Sequence, residues 1–291
     1  MIVVSFPAIG LTLTNTTPPP PGVPYLSNLS GWFRGVGTTL EVETRPHHPG
    51  AFDDETATKR ARFITVEGRL TALGDPFIVT DLNTQLMGLY EQENPFDLVV
   101  TDPRRTLTSR VRLGPNGIDE VIINEKGIAE FEIPLVAADP LRYGPAETRT
   151  TALPSTGGGM VFDAPASPTG TFDFGPHGTT GRVTLSNDGN APVHIDVHIT
   201  GTLDSGFSVT CLETGHHYYY TRVVPAGSTV AIRGRSGEVL IDGQSDGSAW
   251  FRDTDGMFTI PPRSTRTLQF NTISTANTDA RMSVTAASGW N

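Results

Sequence analysis

The chain has 291 residues, with 31 glycines, 23 prolines and only 18% charged residues, a turn-rich composition that favours a two-domain all-β protein over a helical one. Its net charge of −10 gives no electrostatic footprint for gripping phosphate backbones, which sets nucleic-acid binding aside. The single cysteine, Cys211, rules out an intrachain disulfide and fits a reducing compartment, and no apolar run reaches membrane-spanning length.

The first eleven residues are apolar but contain Pro7 and Gly10 and lack a basic flank, so 2–14 reads as a first strand rather than a signal peptide. Thr17-Pro-Pro-Pro-Pro-Gly-Val-Pro24 is a stiff polyproline connector. Residues 32–42 read as a strand. The loop Arg45-Pro-His-His-Pro-Gly50 carries His47 and His48, whose side chains diverge too much in an extended chain to share a metal. Residues 59–70 form a strand with Phe63 and Ile64 on opposite faces, and Lys59, Arg60 and Arg62 are expected to make a solvated edge. Leu82, Leu86 and Leu89 with Tyr90 recur at helical spacing, predicting one helix that starts at Asp75 or Thr80 and runs to Glu93, with Thr80 or Asp81 able to cap its start.

A meander of four strands follows, 96–100, 107–113, 118–123 and 128–136. It is separated by Asp102-Pro103, Gly114-Pro-Asn-Gly117 and Asn124-Glu-Lys-Gly127, turns in which proline presets φ and glycine supplies positive φ. In the last strand Phe131, Ile133 and Leu135 alternate with polar or exposed positions. Pro134, without an N–H, implies a sheet edge or a donor position facing away from the ladder. Asp139-Pro140 is expected to end this strand and Tyr143-Gly144-Pro145 to turn the chain out. Residues 1–145 therefore read as one β domain with one helix. Residues 146–170, rich in Gly, Pro, Ser and Thr, read as a linker or loose strand.

Residues 171–291 carry short strands at even spacing, at 182–189, 192–201, 207–212, 217–224, 229–233, 238–241, 249–252, 265–271 and 281–285, the pattern of a β-sandwich. His194, Asp196 and His198 lie on the polar face of one strand and read as its wet side rather than a zinc site. Gly243-Gln-Ser-Asp-Gly247 matches the nucleophile-elbow pattern, but both flanks are strand-like, so it reads as a hairpin loop. Tyr218, Tyr219 and Trp250, beside His216 and His217, are the candidate glycan contacts, although aromatics also serve simply to build strands. No catalytic pair, metal set or cofactor motif emerges, and no enzyme activity or cofactor is expected.

Three stretches together resemble the distal tail protein family of siphovirus-type bacteriophages. They are the strand ending in Ala-Asp139-Pro140-x-x-Tyr143, the run Asn187-Asp-Gly-Asn-Ala-Pro192 leading to Val-x-Ile-x-Val-x-Ile-x-Gly201, and the ordered hairpins Val223-Val-Pro-Ala-Gly227, Leu240-Ile-Asp242, Trp250 and Ile260-Pro-Pro-Arg-Ser264. The family's usual Pro-Gly-Asn turn is here Pro-Pro-Arg-Ser. The resemblance implies a ring-forming, tail-tube-like N-terminal domain and a galectin-like C-terminal sandwich. It further implies a homo-hexameric structural protein of the virion tail tip, assembled in the host cytoplasm. Such a ring joins the tail tube to the tail-tip hub and passes DNA through its lumen without specific binding or membrane insertion. The alternative is a carbohydrate-binding or adhesin module for a cell-surface glycan.

Overall fold

The computed structural model describes residues 1–16, 22–39, 48–49, 58–71, 76–119, 121–122, 124, 127–155, 178–273 and 279–291. These are nearly all β, with one α-helix, and fall into two units: Met1–Pro145 with Trp290–Asn291, and Ala146–Gly289.

In the first unit β1 (Val3–Phe6) and β2 (Leu11–Thr14) form a hairpin around a single 3-10 turn, Pro7–Ile9, closed by Gly10 at φ 65. Then come β3 (Tyr25–Ser30), β4 (Thr38–Thr39), β5 (Thr58–Lys59), β6 (Arg62–Thr71), α1 (Pro76–Met87), β7 (Phe96–Thr101), β8 (Thr106–Leu113), β9 (Ile128–Ala137) and β10 (Arg142–Ala152). Two antiparallel runs, β10-β8-β7-β1-β2 and β3-β6-β9-β8, meet on β8. Period-two alternation delivers Val4, Phe6, Leu13, Ile64, Val66, Leu98 and Ile133 to one core, joined by Trp32. Helix α1 adds Val79, Leu82 and Leu86, spaced three and four apart on one face, with Leu89 just beyond its end. Each such side chain contributes about 1.5–3 kcal/mol on burial.

Several expectations change here. Of the two expected helix starts the earlier, at Asp75, is the nearer: α1 begins at Pro76, in a first turn where a missing N–H costs nothing, and ends at Met87, short of Glu93. The strand expected from Trp32 is instead Tyr25–Ser30, whose alternation is masked by a register shift between Leu26 and Asn28. Strand β6 is flanked on both sides by β3 and β9, so it is no edge, and Arg62 is buried. Of the strand expected over 118–123, the described residues 118, 119, 121 and 122 are in no strand. Ile118 and Val121 are still buried, because α1 and its exit hold them: Asn83 exchanges two hydrogen bonds with Val121, and the Tyr90 hydroxyl bonds both backbone groups of Ile118. Strand β9 has neighbours on both sides, but its ladder with β8 stops at Leu113↔Leu135, next to Pro134, which has no donor to continue it. Tyr143-Gly144-Pro145 lies within β10 rather than in a turn. The polyproline stretch at 17–21, His47 and the Gly157–Gly159 run lie outside the described residues.

In the second unit the strands are β11 (Arg182–Asn187), β12 (Val193–His194), β13 (Asp196–Thr200), β14 (Phe207–Cys211), β15 (His217–Tyr220), β16 (Thr229–Ile232), β17 (Val239–Ile241), β18 (Ser245–Asp246), β19 (Phe251–Asp253), β20 (Thr259–Ile260), β21 (Ser264–Thr272) and β22 (Arg281–Trp290). One sheet runs β11-β21-β14-β15-β19, and the other contains β18-β17-β16-β13-β22-β10. Val193, Ile195, Val197 and Ile199 are all buried, as their alternation predicts, together with Phe207, Val209, Phe270, Met282 and Val284. Strand β22 outruns its sequence signal, because Ala286, Ala287, Ser288 and Gly289 are too small to show a pattern. Gly243-Gln-Ser-Asp-Gly247 is a hairpin, with Asp242 at φ 52 and Gly243 at φ 74 between β17 and β18.

Candidate functional site

The family-like exit segment is held by a node of buried arginines. Alternation with Ile64 and Val66 turns Arg62 inward. Its Nε donates to Pro140 O at 2.8 Å, and its Nη1 reaches Gly31 O, Trp32 O and Arg34 O at 3.0, 3.2 and 2.7 Å. Arg142, also buried, donates to the same Trp32 O at 2.7 Å and lies 5.6 Å from the Trp32 ring centroid. Burial, then the charges of Arg62 and Arg105, lower Arg142 to about 10, with Asp102 opposing; burial also lowers Arg62. Asp139 accepts from Leu141 N at 3.1 Å and from the Tyr143 hydroxyl at 2.8 Å, so the Asp139-Pro140 connection is tied to the start of β10. The sequence singles out neither arginine as a buried anchor, although Arg62 shares the parity of the four other buried β6 residues.

The second family-like run has an equally specific anchor. Asn187, fully buried, donates from Nδ2 to Ala191 O, Ile260 O and Pro261 O, and its Oδ1 accepts from Gly189 N and Gly289 N. One amide thus satisfies backbone groups from three chain segments, 189–191, 260–261 and 289. In the variant turn Pro261-Pro-Arg-Ser264, Arg263 takes φ 51, a conformation that glycine or asparagine adopts at lower cost.

The candidate glycan residues separate. Tyr218 is fully buried, stacked on Phe258 at 3.7 Å, with its hydroxyl accepting from Phe258 N; it is a core residue and presents nothing to a ligand. Burial and the carboxylates of Asp253 and Asp196, partly offset by the Phe258 bond, hold it well above the ordinary tyrosine value. His216 is buried beside it, and its Nε2 accepts from Asp255 N. Tyr219 remains 42% exposed, edge-on to His217 at 4.7 Å. Trp250 is half-buried, with the Arg222 guanidinium 4.2 Å from its ring centroid. Sequence parity already put Tyr219 opposite Tyr218; only packing decided which faced out.

Two open clefts lie in the first unit. One, of about 240 Å³, is lined by Glu67, Arg69, Asp119, Glu130 and Glu132; Glu130 pairs with Arg69 at 2.8 Å and Glu67 accepts from Asn28. The other, of about 430 Å³, lies between residues 30–37 and β6 beside Arg34 and Phe63. Asp196 accepts from Gly234 N, and among the described residues no three metal-ligating side chains converge.

No family model matches the chain, and no curated protein matches it. Among solved structures it is similar to SPP1 Dit (gp 19.1), described as a paradigm of the hub adsorption apparatus in phages infecting Gram-positive bacteria. That likeness covers 100% of both chains at 12% identity, with a TM-score of 0.61. A chain of the phage p2 baseplate in its activated conformation with Sr is similar over 98% of each chain at 9% identity, with a TM-score of 0.50. From its first strand to its last, the chain is built on the all-β, one-helix fold of a phage Dit protein.

Proposed function

We propose that this chain is a structural protein of a siphophage tail tip, a distal tail protein without enzyme activity or cofactor. The observation that carries this reading is the end-to-end likeness to SPP1 Dit, across both units and without a missing segment on either side. In this reading six copies close a ring through a heterologous contact. Residues 1–145 form the inner belt and residues 171–291 an outward sandwich, with 146–170, whose first residues to Ala152 belong to β10, the linker or loose strand between them. The ring seats on the last tail-tube hexamer, receives the tail-tip hub on its other side and leaves a channel for DNA. Six subunits at −10 each favour passage of DNA over capture, since like charge repels the phosphate backbone. Assembly takes place in the host cytoplasm and the product resides in the virion. No helix among the described residues is long and apolar enough to cross a membrane.

Light scattering on the purified full chain, with electron microscopy of the same sample, tests the proposal. Closed six-fold rings are the expected result. A solitary chain at every accessible concentration, with no antibody label at the tail tip of intact particles, overturns it.

A further inference from the structure

We infer that the Arg222–Trp250 pair, with Tyr219 and Arg252 on the β15–β19 edge, binds an acidic saccharide, a sugar chain carrying carboxylate or phosphate groups. This function is separate from ring formation. Residues directly paired across two strands share a sheet face. Tyr219 pairs with Arg252 on the face away from the core, while Tyr218 with Asp253 and Tyr220 with Phe251 take the other face. Thr221 N donates to Trp250 O at 3.0 Å, which brings the end of β15 alongside the residue before β19.

There Arg222 lies over the indole with its centre 4.2 Å from the ring. Among the described residues its guanidinium donates no hydrogen bond, so the contact with Trp250 positions the group while its N–H fork stays available. A planar fork of this kind matches a carboxylate or a phosphate through two parallel hydrogen bonds. Arg252 is held in place by donating to Phe251 O at 2.7 Å and Ala249 O at 3.3 Å. Tyr219 adds an accessible aromatic body with a polar tip. The Asp242 carboxylate is engaged by Thr229 N at 2.7 Å and Ser228 Oγ at 3.2 Å, and Asp253 is on the opposite face. Two guanidiniums beside an exposed tyrosine and a half-buried tryptophan, in a chain of net charge −10, form a local anion-seeking surface against the overall field.

Titration calorimetry of the full chain at low salt against polygalacturonate, poly(glycerol phosphate) and neutral dextran tests the inference. Binding to at least one acidic polymer, weakened by salt and absent with dextran, is expected, and the two acidic arms tell carboxylate from phosphate. Arg222→Ala and Trp250→Ala should each lower affinity by about tenfold, and Arg222→Lys, which keeps charge but loses the fork, by about threefold. Arg104→Ala, an exposed arginine of the first unit, should leave affinity unchanged. If a primary variant misfolds, Arg252→Gln and Tyr219→Ala serve instead, with losses of about threefold expected. Failure to bind either acidic polymer, equal binding to dextran, or wild-type affinity in folded variants overturns the proposal. So does a defect confined to tail assembly, which would make this surface a protein contact. Ring formation is scored separately, so either reading can fail alone.

Discussion

Replacing Arg62 by Met removes the guanidinium that joins residues 31–34 to Pro140 while keeping much of its buried volume. Trp32 O retains Arg142 as a donor, so three carbonyls, on Gly31, Arg34 and Pro140, lose this partner. An unsatisfied buried carbonyl costs about 1–3 kcal/mol, and relief of a buried, desolvated charge returns several kcal/mol of that sum. Water reaches part-buried carbonyls, which lowers the cost further. The net expectation is a loss of about 2–4 kcal/mol for Arg62→Met. Arg62→Lys is expected to lose about half as much, because an ammonium cannot span the same fork. Urea unfolding followed by tryptophan fluorescence measures the loss, and native-state amide exchange should localise it to residues 31–34 and 139–143. A loss for Arg62→Met below about 1 kcal/mol at unchanged m-value would refute the claim that this side chain organises the exit from the first unit.

Asn187→Ala strips five backbone partners of one buried amide and should cost about 2–4 kcal/mol; Asn187→Asp, which keeps the acceptor but loses the donor to three carbonyls, should be no better, and near-wild-type thermal stability of either contradicts the assigned role. Burial holds Tyr218, Tyr143 and Tyr220 above the ordinary tyrosine value of 10.0. Above that pH the unfolded chain gives up these protons first, so stability falls as pH rises. Arg142, lowered by burial to about 10, acts in the opposite sense above that value, as do Arg62 and Arg235, also lowered by burial, because there the unfolded state holds more protons. The buried tyrosines predict loss of structure in alkali, which the lowered arginines oppose. Phenolate absorbance should therefore appear together with loss of far-UV ellipticity; complete phenolate formation in a folded chain would contradict the burial of these rings.

Which residues alternate, where glycine must turn the chain, and that one helix interrupts an all-β meander were legible because they depend on neighbours in sequence. Val193 to Ile199 and Leu82 to Leu89 are the clearest cases. Parity also set Tyr219 opposite Tyr218 and Arg62 beside Ile64. What alternation cannot say is which face has a core to meet, and that choice put Tyr218 inside, Tyr219 outside and Arg62 among carbonyls. The Ile118–Val121 segment looked like a strand because its apolar residues are buried, yet side chains of the helix region, Asn83 and Tyr90, provide the bonds a ladder would have supplied. The aromatic–arginine edge was half visible, as Tyr219 and Trp250, since stacking aromatics stand out in a strand. Its cations were not visible, because Arg222 meets Trp250, and Arg252 comes opposite Tyr219, only through the pairing of two short strands, between positions some thirty residues apart. Local chemistry determined the elements; long-range packing, which alone decides what each buried polar group will find, determined the anchors and the candidate surface.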